Sequence, residues 1–489
     1  MMNPDASATI DPSQRGMLDA LATSVGPRTI VTDAELIAPW LTDWRGRYQG
    51  RAAVLLQPDS TAEVSSICAA ATAHRVPLVP QGGNTSMVGG ATPPADGSAL
   101  ILSLRRMNRV RSVDAVAGLA VAEAGVILTD LHAAALAKGR RFPLTLGARG
   151  SATVGGLVST NAGGTQVLRH GTMRGLVAGI EAVLPDGSVH DGLAALKKDN
   201  RGYDLKELLV GAEGTLGVIT AATLRLAPAV LDRAVAWVGV EAPAAALGLL
   251  RLVEGRTEAV ESFELMPDDS LAAVLAHLRD ARTPLSGRHG WHVLIEAVAT
   301  APEDEQPARL LERLLVEAFE QELAQDATIA ASEAQAEAFW TLRDSISAAE
   351  RAQGPATQHD ISVPVDAMPD FLLDAAAACK ARFPGTHASG FGHLGDGNVH
   401  FHVRAPGGVS AERWYADEAP IVTRFVHDLV VAAGGSISAE HGIGQMKRDE
   451  LARLSSPARM AVLRGVKGAL DPHGLLNPGK LLARASPDQ

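Results

Sequence analysis

The chain has 489 residues, of which 46% are hydrophobic and 20% are charged, so it is long enough for two or three domains with developed cores. Lys and Arg number 44 against 55 Asp and Glu, which gives a formal net charge of −11. This acidic balance argues against general nucleic-acid binding, because such proteins need a basic face for the phosphates.

The cysteines and the N-terminal residues bear on the cellular location. Cys68 and Cys379 lie in Ala-rich stretches typical of helices, and we interpret both as core thiols. A chain without a disulfide framework is typical of a reducing compartment. The first residues show no secretory signal, and no run reaches the ~18 apolar residues that span a bilayer. We therefore expect a cytoplasmic protein without a membrane span.

The first region of the chain alternates short strands and helices and is interrupted by glycine loops. Residues 1–15 are predicted to form a loose polar tail. The elements that follow are predicted from apolar periodicity and turn residues. They are strands at 52–56, 77–80, 99–104 and 119–125, helices over 61–74 and 127–139, a hairpin over 180–192 and a strand within 211–228.

The composition shifts after about residue 230. Strands are predicted at 234–240, 259–266 and 359–365, and the stretch 391–403 is predicted to run from a glycine loop into a strand. Helices are predicted over 243–254, 308–325 and 333–352. The fold class is therefore α+β. We predict one domain over 16–230 and a second over 231–433, with a C-terminal segment over 434–489 that rejoins the first.

Three glycine-rich stretches are candidates for binding an anionic pyrophosphate. They cover 81–90, 147–165 and the start of 211–228, and each adjoins a predicted strand. Glycine loops expose backbone N–H groups without an obstructing Cβ, although any one of them could be an ordinary turn. GFGHLG at 390–395 has the spacing of a nicotinamide fingerprint, but a strand pattern follows it where that fingerprint requires a helix.

These segments resemble a known superfamily. The stretches VPLVPQGGNTSMVGGATP (76–93), SATVGGLVSTNAGG (151–164) and GAEGTLGVIT (211–220) resemble the FAD-binding segments of the vanillyl-alcohol-oxidase and p-cresol-methylhydroxylase (PCMH) superfamily. The resemblance extends to NPGK (477–480), and GHLGDGNVH (392–400) and SAEHGIG (438–444) resemble its D-2-hydroxyacid dehydrogenase branch. Within that branch the similarity is greatest to the D-2-hydroxyglutarate dehydrogenases.

The resemblance implies a PCMH-type FAD-binding domain of two subdomains over 16–230, an α+β substrate or cap domain over 231–433 and a helical C-terminal segment. It implies noncovalent FAD, because the first loop lacks the His or Cys that carries a covalent flavin in relatives. The cofactor-binding residues implied by the resemblance are Gly82, Gly83, Asn84, Thr85, Ser86, Thr153, Gly155, Gly156, Thr160, Asn161, Gly163, Glu213, Gly214, Ile219 and Asn477.

The resemblance also implies a metal and a catalytic centre. His393, His400 and Glu440 match the family's metal ligands, and two imidazoles with a carboxylate make zinc the first expectation among divalent ions. His402 stays outside this ligand set. The residues matched to substrate binding are Arg343, Ser347, Asn398 and His441, and His441 is also matched to the general base.

One residue departs from the pattern and leaves the substrate open. Gln358 stands where the hydroxyglutarate enzymes carry a substrate-binding lysine. We expect the protein to oxidise D-2-hydroxyglutarate and also D-malate, with oxidation of D-lactate or glycolate as the alternative. Outside this class, a metal-dependent hydrolase and a non-catalytic binding protein are further alternatives. The expected partners are a small 2-hydroxy acid, an electron acceptor such as an electron-transfer flavoprotein or a quinone, and a second copy in a homodimer.

Overall fold

The computed structural model describes residues 9–484, which form two compact units. Unit 1 is drawn from Met1–Gly164, Gly171–Ala229 and Glu440–Gln489, and unit 2 from Thr165–His170 and Val230–Ala439. The hexapeptide Thr165–His170 thus belongs to unit 2, although it lies inside the range 16–230 that we predict as one domain.

The strands are short in unit 1 and longer in unit 2. In chain order they are β1 Ile30–Val31, β2 Leu55–Leu56, β3 Leu78–Gln81, β4 Leu100–Ser103, β5 Val110–Asp114, β6 Leu119–Glu123, β7 Arg140–Arg141, β8 Val177–Val183, β9 Val189–Gly192, β10 Val218–Arg225, β11 Ala227–Pro228, β12 Asp232–Val240, β13 Val260–Pro267, β14 Trp291–Ala299, β15 Asp326–Ile329, β16 Ala356–Ser362, β17 His387–His393 and β18 Asn398–Arg404.

The helices of the described residues alternate with these strands. In chain order they are α1 Pro12–Leu21, α2 Ala34–Ile37, α3 Thr61–His74, α4 Leu128–Leu136, α5 Val154–Ser159, α6 Val167–His170, α7 Met173–Leu176, α8 Leu205–Leu209, α9 Pro243–Glu254, α10 Asp268–His277, α11 Pro307–Glu320, α12 Glu333–Asp344, α13 Ile346–Ala352, α14 Met368–Arg382, α15 Ala411–Arg413, α16 Ala419–Ala432, α17 Arg448–Leu454 and α18 Pro457–Leu470. Within the stretch 9–484, no helix is long and apolar enough to cross a membrane.

Unit 1 contains two main sheets. One has the order β1-β2-β4-β3, in which β2, β4 and β3 run parallel, and the other is antiparallel with the order β5-β6-β10-β8-β9. Helix α3 forms as predicted over 61–74, and the Ser60 hydroxyl caps its N-terminus by accepting from the Glu63 N–H at 3.3 Å. The hairpin predicted at 180–192 is confirmed as the β8–β9 pair.

Unit 2 contains a seven-stranded antiparallel sheet with the order β15-β12-β14-β13-β17-β18-β16. One of its faces packs against α9, α11, α14 and α16 through an apolar cluster that includes Leu249, Phe371 and Phe401. The other face packs against α10, α12 and α13 through Trp237 and Phe339. This second face carries the buried polar side chains of the candidate site.

The structure differs from the sequence predictions in three places. Helix α1 begins at Pro12, inside the stretch predicted as a loose tail, because Asp11 and Gln14 form a capping box at its start. Residues 1–8 of that predicted tail lie outside the described residues. The helix predicted over 333–352 is divided at Ser345. The start of the stretch 391–403, predicted as a glycine loop, belongs to strand β17, which pairs with β18 as a hairpin.

Candidate active site

The first glycine loop of unit 1 lies against the loop around residue 152 with no room for side chains. A Cβ on Gly83 would lie 1.9 Å from the Ser151 carbonyl oxygen, and one on Gly82 would lie 2.2 Å from Thr153 Oγ1. Both separations are far below van der Waals contact, and at Gly83 the obstacle is backbone, so that position requires glycine. The structure therefore brings together two of the three stretches that the resemblance assigns to FAD.

Several non-glycine residues in these loops adopt positive φ, which is uncommon for residues with a side chain. Asn84, Asn161, Glu213 and Asn477 have φ between 44° and 54°. Asn477 donates from Nδ2 to the carbonyl oxygens of Gly90 at 2.9 Å and of Glu213 at 2.7 Å. The side chain of Asn477 thus joins the first and third glycine-rich stretches within unit 1.

Two buried polar atoms in unit 1 test whether the loops fit a bound cofactor. Thr153 Oγ1 and Asn477 Oδ1 are buried and have no hydrogen-bond partner among residues 9–484. Buried polar atoms normally have a hydrogen-bond partner. Two such atoms without a protein partner, both in predicted cofactor segments, are therefore typical of a site that binds a polar ligand. The residues present therefore fit FAD.

Other residues of the predicted cofactor set contact protein atoms. Ser86 Oγ accepts from the Gly90 N–H at 2.9 Å, and Thr160 Oγ1 donates to the Gly156 carbonyl at 3.0 Å. Ile219 is a buried residue of strand β10. Thr85, Gly155, Gly163 and Gly214 lie in the same loops or at the start of α5. The roles of all these residues toward FAD stay predictions.

Glu213 joins the third glycine-rich stretch to the loop that carries His441. Its two carboxylate oxygens accept the backbone N–H groups of Ile443 and Gly444, both at 2.7 Å. Burial raises the pKa of Glu213, and the two backbone N–H groups act against this rise by favouring the carboxylate. His441 and Glu440 are half-buried in this loop of unit 1.

In unit 2, the β17–β18 hairpin places two predicted metal ligands side by side. His393 pairs with Asn398 in the strand register, and His400 pairs with Phe391. The ring centroids of His393 and His400 are 5.6 Å apart, with an interplanar angle of 76°. Side chains of alternate residues share a face of a strand, so His400 and His402 both point to the polar face of the sheet.

A buried carboxylate that the sequence analysis did not single out organises this face. Glu264 lies in the centre of β13, and its side chain is 1% exposed. Its Oε1 is 2.6 Å from His393 Nδ1, and its Oε2 accepts from Arg343 Nε at 2.8 Å. Glu264 therefore fixes the orientation of both predicted site residues, as a carboxylate partner commonly does for a metal-binding histidine.

Electrostatics of the cluster match this geometry. Burial alone would raise the pKa of Glu264, but the charges of Arg343 and His393 hold it below its ordinary value. Desolvation of the ring, reinforced by His393 and Arg343, lowers the pKa of His400 well below its ordinary value. A neutral imidazole is the form that binds metal ions, so the lowered pKa of His400 suits that ring to a divalent-metal site.

The remaining predicted residues of unit 2 lie around the same face. Asn398 donates from Nδ2 to Asp360 Oδ1 and to the Ile361 carbonyl, each at 3.0 Å, and its Oδ1 is buried without a partner among the residues that the structure describes. His402 Nδ1 contacts the carboxylate of Glu350. Ser347 is half-buried in α13, and Gln358 pairs with His402 in the β16–β18 register.

A signal for Glu264 was present in the sequence. The stretch AVESFELM (259–266) is an apolar strand pattern that contains two glutamates, Glu261 and Glu264. A carboxylate inside a buried strand requires a paired charge or hydrogen-bond donors. In the structure Glu261 contacts Arg169, and Glu264 contacts Arg343. The partners could not be identified from sequence because they lie on distant elements.

Comparison with known families matches both parts of the chain. Residues 52–192 match the family described as FAD binding domain, and residues 231–481 match the family described as FAD linked oxidases, C-terminal domain. The match to an FAD-binding family removes the hydrolase alternative, since a hydrolase has no use for a flavin.

Individual relatives match over nearly the whole chain. The mitochondrial D-2-hydroxyglutarate dehydrogenases of Arabidopsis thaliana and Bos taurus are 36% and 37% identical, over 94% of this chain and 80% and 82% of the relatives. The D-2-hydroxyglutarate dehydrogenase of Xanthomonas citri pv. viticola is 36% identical over 90% of this chain and 91% of that protein.

The names of these relatives correct one expectation. The prediction of a cytoplasmic location is wrong by this comparison, because well-matched relatives from Arabidopsis thaliana, Bos taurus and Rattus norvegicus are named as mitochondrial. The physical reason is that the prediction used two free thiols, which both prove to be buried. Such thiols argue against an oxidising compartment but do not distinguish among reducing ones.

Solved structures support the fold assignment. A p-cresol methylhydroxylase with substrate bound superposes with a TM-score of 0.70 at 13% identity, covering 96% of this chain and 97% of that chain. The 4-ethylphenol oxidase from Gulosibacter chungangensis superposes with a TM-score of 0.71 at 19% identity, covering 100% of both chains. The predicted PCMH-type α+β fold is therefore confirmed. The chain belongs to the FAD-linked oxidases and, within them, to the D-2-hydroxyglutarate dehydrogenase family of FAD-dependent hydroxyacid dehydrogenases.

Proposed function

We propose that this protein oxidises D-2-hydroxyglutarate to 2-oxoglutarate and accepts D-malate as a second substrate. The names of the relatives support the first substrate. The observation that carries the proposal is the arrangement around Glu264, which holds a guanidinium and an imidazole beside a second imidazole on one sheet face. This arrangement suits an anionic hydroxy acid, which needs a cation for its carboxylate and a polar anchor for its hydroxyl.

Each residue then has a distinct task. Arg343 binds a substrate carboxylate, for which a guanidinium held in one orientation is well suited. Ser347 donates a hydrogen bond to the substrate, and Asn398 contacts the substrate through Oδ1, because both hydrogens of its Nδ2 already bind within the protein. His441 takes the proton of the C2 hydroxyl as general base. FAD, when bound noncovalently, supplies the acceptor for the C2 hydride.

We further propose that His393, His400 and Glu440 hold a divalent metal, with Zn²⁺ as the first candidate. When bound, the ion supplies a Lewis acid for the substrate hydroxyl. The contact between Glu264 and His393 Nδ1 supports this proposal, because a carboxylate on one ring nitrogen commonly orients a metal-binding histidine. The other ring nitrogen, Nε2, lies 3.3 Å from Arg343 Nη2. The sequence resemblance supports a homodimer and a separate electron acceptor, either an electron-transfer flavoprotein or a quinone.

Anaerobic flavin reduction tests the substrate and the metal together. The purified protein is mixed with D-2-hydroxyglutarate, D-malate or D-lactate, and bleaching of the visible flavin absorbance is followed before and after dialysis against a chelator. We expect rapid bleaching by D-2-hydroxyglutarate, loss of bleaching after chelation and recovery with added Zn²⁺. Bleaching that survives complete metal removal would overturn the metal proposal, and bleaching by none of the three acids would overturn the substrate proposal.

A second candidate function, oxidation of D-lactate or glycolate, is favoured by Gln358. A neutral amide at this position attracts the second carboxylate of a dicarboxylic acid less than a lysine does. The variant Gln358→Lys is expected to lower the KM for D-2-hydroxyglutarate and to leave that for D-lactate unchanged. Gln321→Lys, at the exposed end of α11, is the control for added positive charge. A wild-type enzyme that reduces its flavin with D-lactate alone would establish this second function.

A further inference from the structure

The loop that follows His441 is bound to a buried carboxylate from another part of unit 1. Glu213 Oε1 accepts the N–H of Ile443 and Glu213 Oε2 accepts the N–H of Gly444, both at 2.7 Å. The Glu213 residue is 8% exposed. Two consecutive backbone amides that share one carboxylate form a compact anion-binding arrangement, and here the anion belongs to the chain itself.

The backbone on both sides of this contact has little freedom to adopt another arrangement. Glu213 has a φ of 53°, in the left-handed region that residues with a Cβ rarely adopt. Gly442 has a φ of 79°, and a Cβ added there would lie 3.0 Å from Glu213 Oε1. Backbone strain of this kind persists only where surrounding contacts impose it, and it clusters at functional sites.

Further backbone hydrogen bonds fix the continuation of the same loop. The N–H groups of Gln445 and Met446 both donate to the Val88 carbonyl, at 3.1 and 3.2 Å. The Leu481 N–H donates to the Gly444 carbonyl at 2.9 Å. The loop after His441 is therefore bound to the first glycine-rich stretch, to the third one through Glu213, and to the residues after NPGK.

The contacts of Glu213 also show what its carboxylate does. Each carboxylate oxygen already accepts a backbone amide at 2.7 Å. The Glu213 N–H donates to the Ser159 carbonyl at 2.8 Å, and the Glu213 carbonyl accepts from Asn477 Nδ2. The carboxylate thus binds the loop at 443–444. This role differs from the cofactor-lining role that the resemblance implies for Glu213.

We propose that Glu213 is a positioning residue for His441, and that its carboxylate fixes the loop from which the imidazole projects. The inference rests on the proposed function, in which His441 takes the proton of the substrate hydroxyl. Only Gly442 separates His441 from the first of the two bound amides, so a shift of that loop moves the imidazole directly. A displacement of the order of 1 Å at a catalytic group can cost about 100-fold in rate.

The substitution Glu213→Gln tests the proposal while preserving the size of the side chain. An amide offers one acceptor oxygen and turns an NH₂ group toward the second N–H, so the two donors repel each other. We expect anaerobic flavin reduction by D-2-hydroxyglutarate to slow by about 100-fold while the KM changes little. We also expect faster hydrogen–deuterium exchange in the peptide spanning 442–446 and an unchanged flavin-to-protein ratio.

A double-mutant cycle distinguishes positioning from a general structural role. If Glu213 acts through His441, adding Glu213→Gln to His441→Ala causes no further loss of rate, because the group that was positioned is already gone. Full multiplication of the two losses would overturn the inference, as would wild-type reduction in Glu213→Gln. Wild-type reduction in His441→Ala alone would instead overturn the proposed function of His441, so the two failures are distinguishable.

Asp471 provides a matched control in the same unit. It is 2% exposed, and its carboxylate oxygens accept the consecutive N–H groups of Leu475 and Leu476 at 3.0 and 2.8 Å. Asp471→Asn weakens the same kind of contact at the amides of 475–476 rather than 443–444, and it also removes the ion pair between Asp471 and Lys467. Its effect on rate should therefore multiply with that of His441→Ala. If Glu213→Gln does not fold, Gly442→Ala disturbs the contact from the loop side, and it should likewise add nothing in the His441→Ala background.

Discussion

The two units prepare their parts of the site by different physical means. In unit 1 the predicted cofactor loops approach one another at glycines, and their hydrogen bonds run largely between backbone groups and a few amide or carboxylate side chains. In unit 2 the polar face of the sheet depends on buried charges, with Glu264 between Arg343 and His393 as the central contact. Glycine and backbone geometry shape the first region, and paired charges shape the second.

This difference predicts different consequences of mutation. A loop that needs glycine fails when a side chain is added, because backbone atoms cannot move aside. A buried charge cluster fails when a charge is removed, because the remaining partners are left unpaired in a low-dielectric environment. Substitutions in the glycine loops should therefore reduce cofactor binding, whereas substitutions in the charge cluster should slow the reaction with substrate.

The largest effect is expected for Glu264→Gln. The amide cannot accept hydrogen bonds from both Arg343 and His393, so the buried cation loses its counter-charge. We expect a loss of about 3–5 kcal/mol in the free energy of unfolding. We also expect flavin reduction to slow by about 100-fold or more, because both predicted substrate and metal groups lose their orientation. Denaturant unfolding and stopped-flow reduction measure the two quantities.

Glu296→Gln is the matched control for that substitution. Glu296 lies on the adjacent strand β14, is 8% exposed and accepts from Arg233 at 3.1 Å and Trp340 at 2.8 Å. Its substitution should lower the free energy of unfolding while the rate of flavin reduction stays near the wild-type value. Equal losses of rate in both variants would mean that Glu264 acts only by stabilising unit 2.

The second largest effect is expected for Gly83→Ala in unit 1. A Cβ there would lie 1.9 Å from the Ser151 carbonyl oxygen, so the two loops must separate. We expect the variant to purify with little or no flavin, measured as the ratio of visible to ultraviolet absorbance. Gly147→Ala is the control, since no atom lies within 4 Å of a Cβ added to that exposed residue. Full flavin content in Gly83→Ala would show that the glycine loops do not form the cofactor site.

The same contrast explains how much of the molecule could be predicted from sequence. The loop segments around Gly82, Thr153 and Glu213 could be predicted from sequence, because backbones that approach closely need glycine at fixed positions along the chain. Helix α3 was predictable because its apolar period and its cap at Ser60 are local. Glu264 was missed because its partners are 79 and 129 residues away, and a sequence shows a buried charge without showing its partner.

Helix boundaries are less predictable from sequence than helix α3 itself, as the division between α12 and α13 shows. The amphipathic pattern over 333–352 predicts one helix, yet the structure ends α12 at Asp344 and begins α13 at Ile346. Ser345 donates its N–H to the Thr341 carbonyl and accepts from the N–H of Ala349 at 2.9 Å, so it closes one helix and opens the next. Neither residue type nor period signals this division, which separates Arg343 from Ser347.

A smaller loss of stability is expected for Gly139→Ala. This variant distinguishes glycines needed for close packing from glycines needed for a positive φ. Gly139 follows α4 with a φ of 68°, and nothing lies within 4 Å of an added Cβ. The cost is therefore conformational, about 1 kcal/mol in the free energy of unfolding, with flavin content unchanged. A loss of flavin in this variant would mean that the glycine contributes more than its φ.

The smallest effect is expected from thiol reagents, because each unit holds one buried cysteine. Burial raises the pKa of Cys68 to about 12 and that of Cys379 to about 11, so neither forms an appreciable amount of thiolate near neutral pH. The pKa of each thiol returns to its ordinary value when its unit unfolds. Iodoacetamide should therefore leave native protein unlabelled and label both residues in urea, as read by mass spectrometry. Labelling of Cys379 alone at an intermediate urea concentration would show that unit 2 opens before unit 1, and that the charge-paired region is the less stable of the two.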